Sequence, residues 1–227
     1  MYYQQPFVRH SVHNNGGYTR SKQNLMSVSG EGKIAGQPNR AKITLGVSTE
    51  DQVLQKAQEN NSKAIASIKN ALNGIGIADK HIQTADYSIF PQYDFVDGSQ
   101  IFRGYKVEHI LNITVDQIEN TGLTADTAAR SGANIVRGIN FEIENGSLLY
   151  QQALTLAVAD AYKKAETIAA SLNVQVIKPP LSITEDSLAK SVAFQSSAFV
   201  KSAESTPIQP GTIMIESRIT AEFMYYG

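Results

Sequence analysis

The chain of 227 residues contains no cysteine. Disulfides, thiolate nucleophiles, cysteine-based zinc sites and iron–sulfur clusters are therefore excluded. It also lacks an excess of either charge. Twenty Lys and Arg stand against 21 Asp and Glu, for a formal net charge of −1, and no basic run is longer than Lys163-Lys164. Such a balance supplies no field to steer nucleic acid or an anionic membrane, so no nucleic-acid partner is expected. No stretch of about 18 apolar residues occurs, and no transmembrane helix is expected. The opening "MYYQQPFVRHSVHNNGGYTRSKQ" holds no apolar run of the signal-peptide kind, which makes the cytoplasm the expected location of the chain as written.

Motifs that carry chemistry are scarce too. There is no Gly-x-Ser-x-Gly elbow and no His-Glu-x-x-His. His10-x-x-His13 has a spacing that metals use, but it falls in a polar opening segment with no third ligand nearby. His81 and His109 sit at or within strand patterns and read as structural. The acid pairs Asp94/Asp97 and Glu185/Asp186 fall in turns or loops, where solvated carboxylates are the norm. The stretch "SGEGKIAG" carries Gly30, Gly32 and Gly36. A phosphate-cradling loop needs its glycines between a strand and a helix, whereas "QPNRAKITLGV" follows here as a turn and a strand. The stretch reads as a glycine-dotted strand. No catalytic residue, cofactor or metal ligand is assigned.

What is present is regular periodicity. Residues 1–24 read as a polar, flexible arm, and residues 25–227 as one domain with a long Ser- and Ala-rich loop at about 185–210. Part of that loop, from Leu188 to Val200, has a composition compatible with helix. Ala41, Ile43, Leu45 and Val47 alternate with polar residues as a half-buried strand does. Ser48 or Thr49 can cap a helix that Gly74 and Gly76 end. A second helix is predicted over about Ile118–Ser131. A third, Ser147–Leu172, carries a stripe of Ala153, Ala157, Ala161, Ala165, Ile168 and Leu172. "VQVIKPPLSIT" and "GTIMIESRITAEFMYY" read as strands. From residue 40 the order is β-α-β-β-α-β, the split βαβ pattern, followed by α-β-β. The fold class is α+β, with helices packed over one largely antiparallel sheet.

"HIQTADYSIFPQYDF" and "IFRGYKVEHILNITV" form two long strands joined through "VDGSQ", whose Asp97-Gly98 is a hairpin signal. Tyr87, Phe90, Tyr93, Phe95, Phe102 and Tyr105 crowd this hairpin. Cross-strand aromatic pairs stabilise hairpins, and an aromatic ribbon projecting beyond a sheet makes a good protein contact. Phe90, Tyr93, Phe95, Phe102 and Tyr105 are the candidate interaction residues.

"SVSGEGKIAGQPNRAKITLGVSTE", "IQTADYSIFPQYDF", "GYKVEHILNITV", "SGANIVRGINFEIEN", "ALTLAVADAYKKAETIAASL" and "TPIQPGTIMIESRITAEF" together resemble the SIMPL domain family, from about Met26 to Tyr225. The resemblance implies an α+β fold and a tendency to self-associate. It connects the chain to a kinase-associated signalling molecule of animals and to exported bacterial proteins. The latter include periplasmic or outer-membrane antigens, some linked to oxidative-stress tolerance. The family has no established catalytic residues. The expected function is non-enzymatic: self-assembly into a homo-oligomer and protein–protein interaction, with a role in stress tolerance. The alternative is a small-ligand binder or an unrecognised enzyme with a pocket between helices and sheet.

Overall fold

The first alternating segment, β1 (Leu25–Gly36), does not pair with its neighbours in sequence. It runs antiparallel to the last strand, β9 (Thr212–Tyr226), with Leu25 opposite Met224 and Gly36 opposite Ile213. The computed structural model describes residues 24–186, 192–194 and 206–227. Nearly all of the expected N-terminal arm, and most of the expected loop after residue 186, lie outside the described residues.

Past the turn at 37–39 comes the split βαβ core. Its elements are β2 (Arg40–Asp51), α1 (Leu54–Gly74), β3 (Ile82–Val96), β4 (Ser99–Val115), α2 (Thr121–Arg130) and β5 (Ile135–Glu142). These strands form a four-stranded antiparallel sheet in the order β3-β4-β2-β5. β4 is thus inserted between β2 and β3, the pair that α1 connects. The alternation of β2 sends Ala41, Ile43, Leu45 and Val47 beneath the helices, where they meet Ile65, Ile68 and Leu72 of α1 and Ala128 of α2.

The helix α3 (Gly146–Ser171) then returns to the first pair of strands and covers it. β6 (Gln175–Val176), β7 (Ser182–Glu185) and β8 (Val192–Phe194) line the other edge of β9. Val28, Ile219, Ala221 and Phe223 pack there against Ala157, Ala161 and Ala165. The α+β class is as expected, but the strands divide into two sheets rather than one. The division arises because β1 spends its whole length on β9, a partner almost two hundred residues away. No helix among the described residues is long and apolar enough to cross a membrane.

Four details depart from the periodicity reading. Ser48 and Thr49 do not cap α1, because β2 continues to Asp51, opposite Tyr105, and the strand ladder takes those residues first. Thr49 instead donates its hydroxyl to the carbonyl of Ala57 (2.8 Å), and Asp51 accepts from the N–H of Val53 (2.8 Å). The buried stripe of α3 continues through Ala169, while Ile168 and Leu172 are exposed on the next row. "VQVIKPPLSIT" is two short strands, since Pro179 and Pro180 have no N–H for a ladder. Within the segment read as compatible with helix, the described residues Val192–Phe194 are a strand on β9; the rest lies outside the described residues.

The glycines of β1 explain how closely α3 sits. A Cβ built on Gly30 would fall on the carbonyl oxygen of Ala157 and lie 2.9 Å from both N and Cβ of Ala161. One built on Gly32 would fall on the carbonyl oxygen of Ala153 and lie 2.6 Å from the N of Ala157. The helix backbone rests on the strand backbone, and these glycines serve that contact. Gly30→Ala or Gly32→Ala must push the helix away. Each is expected to destabilise by about 3 kcal/mol, the upper end of core overpacking. Gly138→Ala in β5, where an added Cβ meets nothing within 4 Å, is the matched control. Urea unfolding midpoints measure both, and equal midpoints for Gly32→Ala and Gly138→Ala would contradict this packing.

Candidate functional site

The Asp97-Gly98 pair makes the hairpin turn. Both residues take positive φ (49° and 79°), as a two-residue turn that matches the strand twist requires. β2 flanks β4 from Ala41 opposite Val115 up to Asp51 opposite Tyr105, and there it ends. Beyond that point β3 and β4 continue as a two-stranded ribbon, with no third strand beside them among the described residues. A register shift at Gln92/Tyr93 leaves Arg103 as the extra residue of a bulge, a device that increases local twist. Arg103 is held at the ribbon base by Glu50 (2.9 Å) and Asp94 (3.8 Å).

Paired residues share a sheet face, so the register sorts the rings. Tyr93 faces Phe102, and Pro91 faces Tyr105. Their face continues the one that α1 covers further down. Tyr93, Phe102 and Tyr105 form an edge-to-face chain, with ring centroids 5.7 and 5.1 Å apart. Phe95 extends the row to the tip. On the opposite face, Phe90 lies beside Lys106, with Ile101 and Val96 nearer the turn. Tyr105 is half-buried at the base. Phe95 is 76% exposed, and Phe90, Tyr93 and Phe102 are each about 45% exposed. The ribbon thus carries all five candidate side chains, divided between two faces. β3 is also an edge strand of its sheet. Pro91 is tolerated there because the missing N–H breaks no central ladder.

Spacing along the chain did not reveal a second cluster at the opposite end of the same sheet. Arg40, at the start of β2, reaches Asp116 (2.8 Å) and Glu144 (2.5 Å), and His81 Nδ1 lies 3.4 Å from Asp116. A cavity of about 400 Å³ opens beside them, lined by Ile75, Ile77, Val115, Lys80, His81 and Asn120 among others. The charged groups that converge there largely satisfy one another. Arg40 ties the start of β2 to the end of β4 and the turn after β5, so the cluster acts as a clamp. Only contact between segments 40, 81, 116 and 144 brings it together.

His109 closes the ribbon from the core side. It pairs edge-to-face with Tyr87 at 5.3 Å, Thr84 Oγ1 lies 3.0 Å from its Nε2, and Tyr87 accepts a hydrogen bond from Gln58 of α1 (3.2 Å). Burial holds the His109 imidazole below its ordinary pKa of 6.5. The folded state therefore resists the proton, and stability present above about pH 6.5 is lost as pH falls through the lower folded value. Urea midpoints between about pH 7.5 and 5 are expected to fall on acidification. His109→Gln is expected to flatten that part of the profile. An unchanged slope in the variant would assign the acid sensitivity elsewhere.

Comparison with known proteins bears on this geometry. The family model SIMPL, described as a protein of unknown function (DUF541), matches residues 26–223. The chain is 29% identical over 154 residues to the 26 kDa periplasmic immunogenic protein of Brucella melitensis, covering 66% of this chain and 62% of that protein. It is 23% identical over 141 residues to the uncharacterized protein YggE of Escherichia coli, covering 62% of this chain and 57% of that protein. The matched stretch thus spans less than two thirds of either relative. The family model spans both sheets and the helices α1, α2 and α3, and the chain belongs to the SIMPL family.

Proposed function

We propose that residues 25–227 act as one non-enzymatic unit that assembles with copies of itself and with other proteins through the aromatic ribbon. One observation carries this reading: a two-stranded extension with no sheet neighbour among the described residues bears Phe90, Tyr93, Phe95 and Phe102, all substantially exposed. Rings grouped in this way leave an apolar patch of the kind that marks interaction sites. Aromatic anchors also dominate the energetics of such contacts. Tyr105, half-buried, supports the ring chain from below. The likeness to a Brucella protein named periplasmic supports a place in the periplasm rather than the cytoplasm. A role in stress tolerance rests on the family resemblance alone.

A second reading has one observation in its favour, the cavity beside His81 and Asp116. A small polar ligand could settle there. The mutual pairing of Arg40, Asp116 and Glu144 argues for the clamp instead.

Light scattering at micromolar concentration is expected to give a multiple of the 24.7 kDa chain mass. Replacing both Phe95 and Phe102 with Ser should reduce that mass while leaving circular dichroism unchanged, because both rings stand outside the three buried hydrophobic clusters. A wild-type particle of one chain defeats the assembly reading. A variant that loses its fold would show that the rings hold the sheet together instead.

A further inference from the structure

Among the described residues, the outer edge of β1 is sealed over part of its length and open over the rest. The seal is made by α3. Asp160 accepts the N–H of Glu31 (2.9 Å), and Lys164 Nζ donates to the carbonyl of Ser29 (3.0 Å). The two side chains are ion-paired with each other at 2.7 Å, one helical turn apart. They stand in for the backbone groups of a missing neighbouring strand, and so protect this edge from stray pairing.

The seal stops there, although the helical row does not. Asp160, Lys164, Ile168 and Leu172 follow one another at intervals of four, so all lie along one line of the helix surface. The helix runs opposite to the strand: Ala153 meets Gly32, Ala161 meets Gly30, and Ile168 lines a groove with Ser27 and Val28. Past Lys164 the row therefore presents apolar side chains, with Ile168 41% and Leu172 59% exposed. Glu31 turns its N–H away from β9, and strand alternation turns the backbone groups of Leu25 and Ser27 to the same open side. The groove, about 560 Å³, is rimmed by Lys163, which has no ion-pair partner among the described residues.

The ribbon has complementary features. Its β3 edge is unpaired, its rings are exposed, and Asp97 at the turn has no ion-pair partner among the described residues. We propose that the hairpin tip of one copy seats in the α3/β1 groove of a second copy. There the strand edge of the ribbon meets the open edge at Leu25–Ser27, its rings cover Ile168 and Leu172, and Asp97 meets Lys163. This rests on the self-assembly reading and names the surface that receives the ribbon. The donor and acceptor patches differ, so the contact is heterologous and propagates head to tail into a ring or a filament. An added strand of this kind draws its affinity from backbone hydrogen bonds and its register from side-chain pockets.

Light scattering over a dilution series tests it, using the full chain with circular dichroism as the fold control. Ile168→Asp, Lys163→Glu and Asp97→Lys lie at exposed positions. Ile168→Asp is expected to raise the dissociation midpoint at least about tenfold, and each charge reversal about fivefold. The double variant Asp97→Lys with Lys163→Glu restores the reversed pair and should recover the wild-type midpoint. If Phe95→Ser with Phe102→Ser dissociates the particle while Ile168→Asp and Lys163→Glu do not, the ribbon seats elsewhere. That result overturns this inference and leaves the assembly reading standing. Failure of the double variant to recover has the same meaning. A wild-type particle of one chain removes the assembly reading, and this one with it.

Discussion

The close approach of α3 to β1 is the constraint from which the arrangement of this molecule follows. Two backbones can touch only where neither carries a bulky side chain, and Gly30 and Gly32 meet Ala153, Ala157 and Ala161. Because the helix lies so low, its flanking row reaches over the strand edge, and Asp160 and Lys164 can bond to backbone groups they would otherwise miss. The same approach commits β1 to β9 and so divides the strands into two sheets. Arg218 on β9 reaches Glu31 on β1 (2.6 Å) and adds an exposed tie across that pair.

Edges are the second theme. The far side of β9 is covered by β6, β7 and β8. The near side of the pair is closed at its middle by the Asp160–Lys164 couple. The outer edge of β3, in contrast, is long and bears aromatic rings, and it is interrupted by a bulge at Ala85 and by Pro91. Proteins that expose strand edges usually blunt them. Among the described residues, the β3 edge of the ribbon and the Leu25–Ser27 end of β1 are left without a neighbouring strand.

The two ends of the four-stranded sheet differ in kind. At one end, Arg40, Asp116, Glu144 and His81 hold four segments together through mutually satisfied charges. At the other, the ribbon leaves the sheet with its rings in solvent, steadied by Arg103 against Glu50 and Asp94 and by His109 beneath Tyr87.

The hairpin was legible because its determinants are local: an Asp-Gly pair between two alternating runs sets the turn, the register and the crowding of rings. The split βαβ order and the Ala row of α3 were legible for the same reason, since periodicity within an element reports the face it buries. What the sequence could not decide was which elements would meet. β1 and β9 are paired across the whole length of the chain, and nothing in "SGEGKIAG" says that its glycines await a helix more than a hundred residues later. By spacing alone Ile168 and Leu172 fit the buried stripe, because an interval of three or four suits either of two neighbouring rows. Only the seat of α3 on β1 and β9 settles that Ala169 goes inside and they do not. The sequence by itself determined the elements and the aromatic tip. Tertiary structure alone decided the division into two sheets, the sealed edge, the exposed apolar row and the Arg40–Asp116 clamp, because each is a contact between segments whose separation carries no periodic signal.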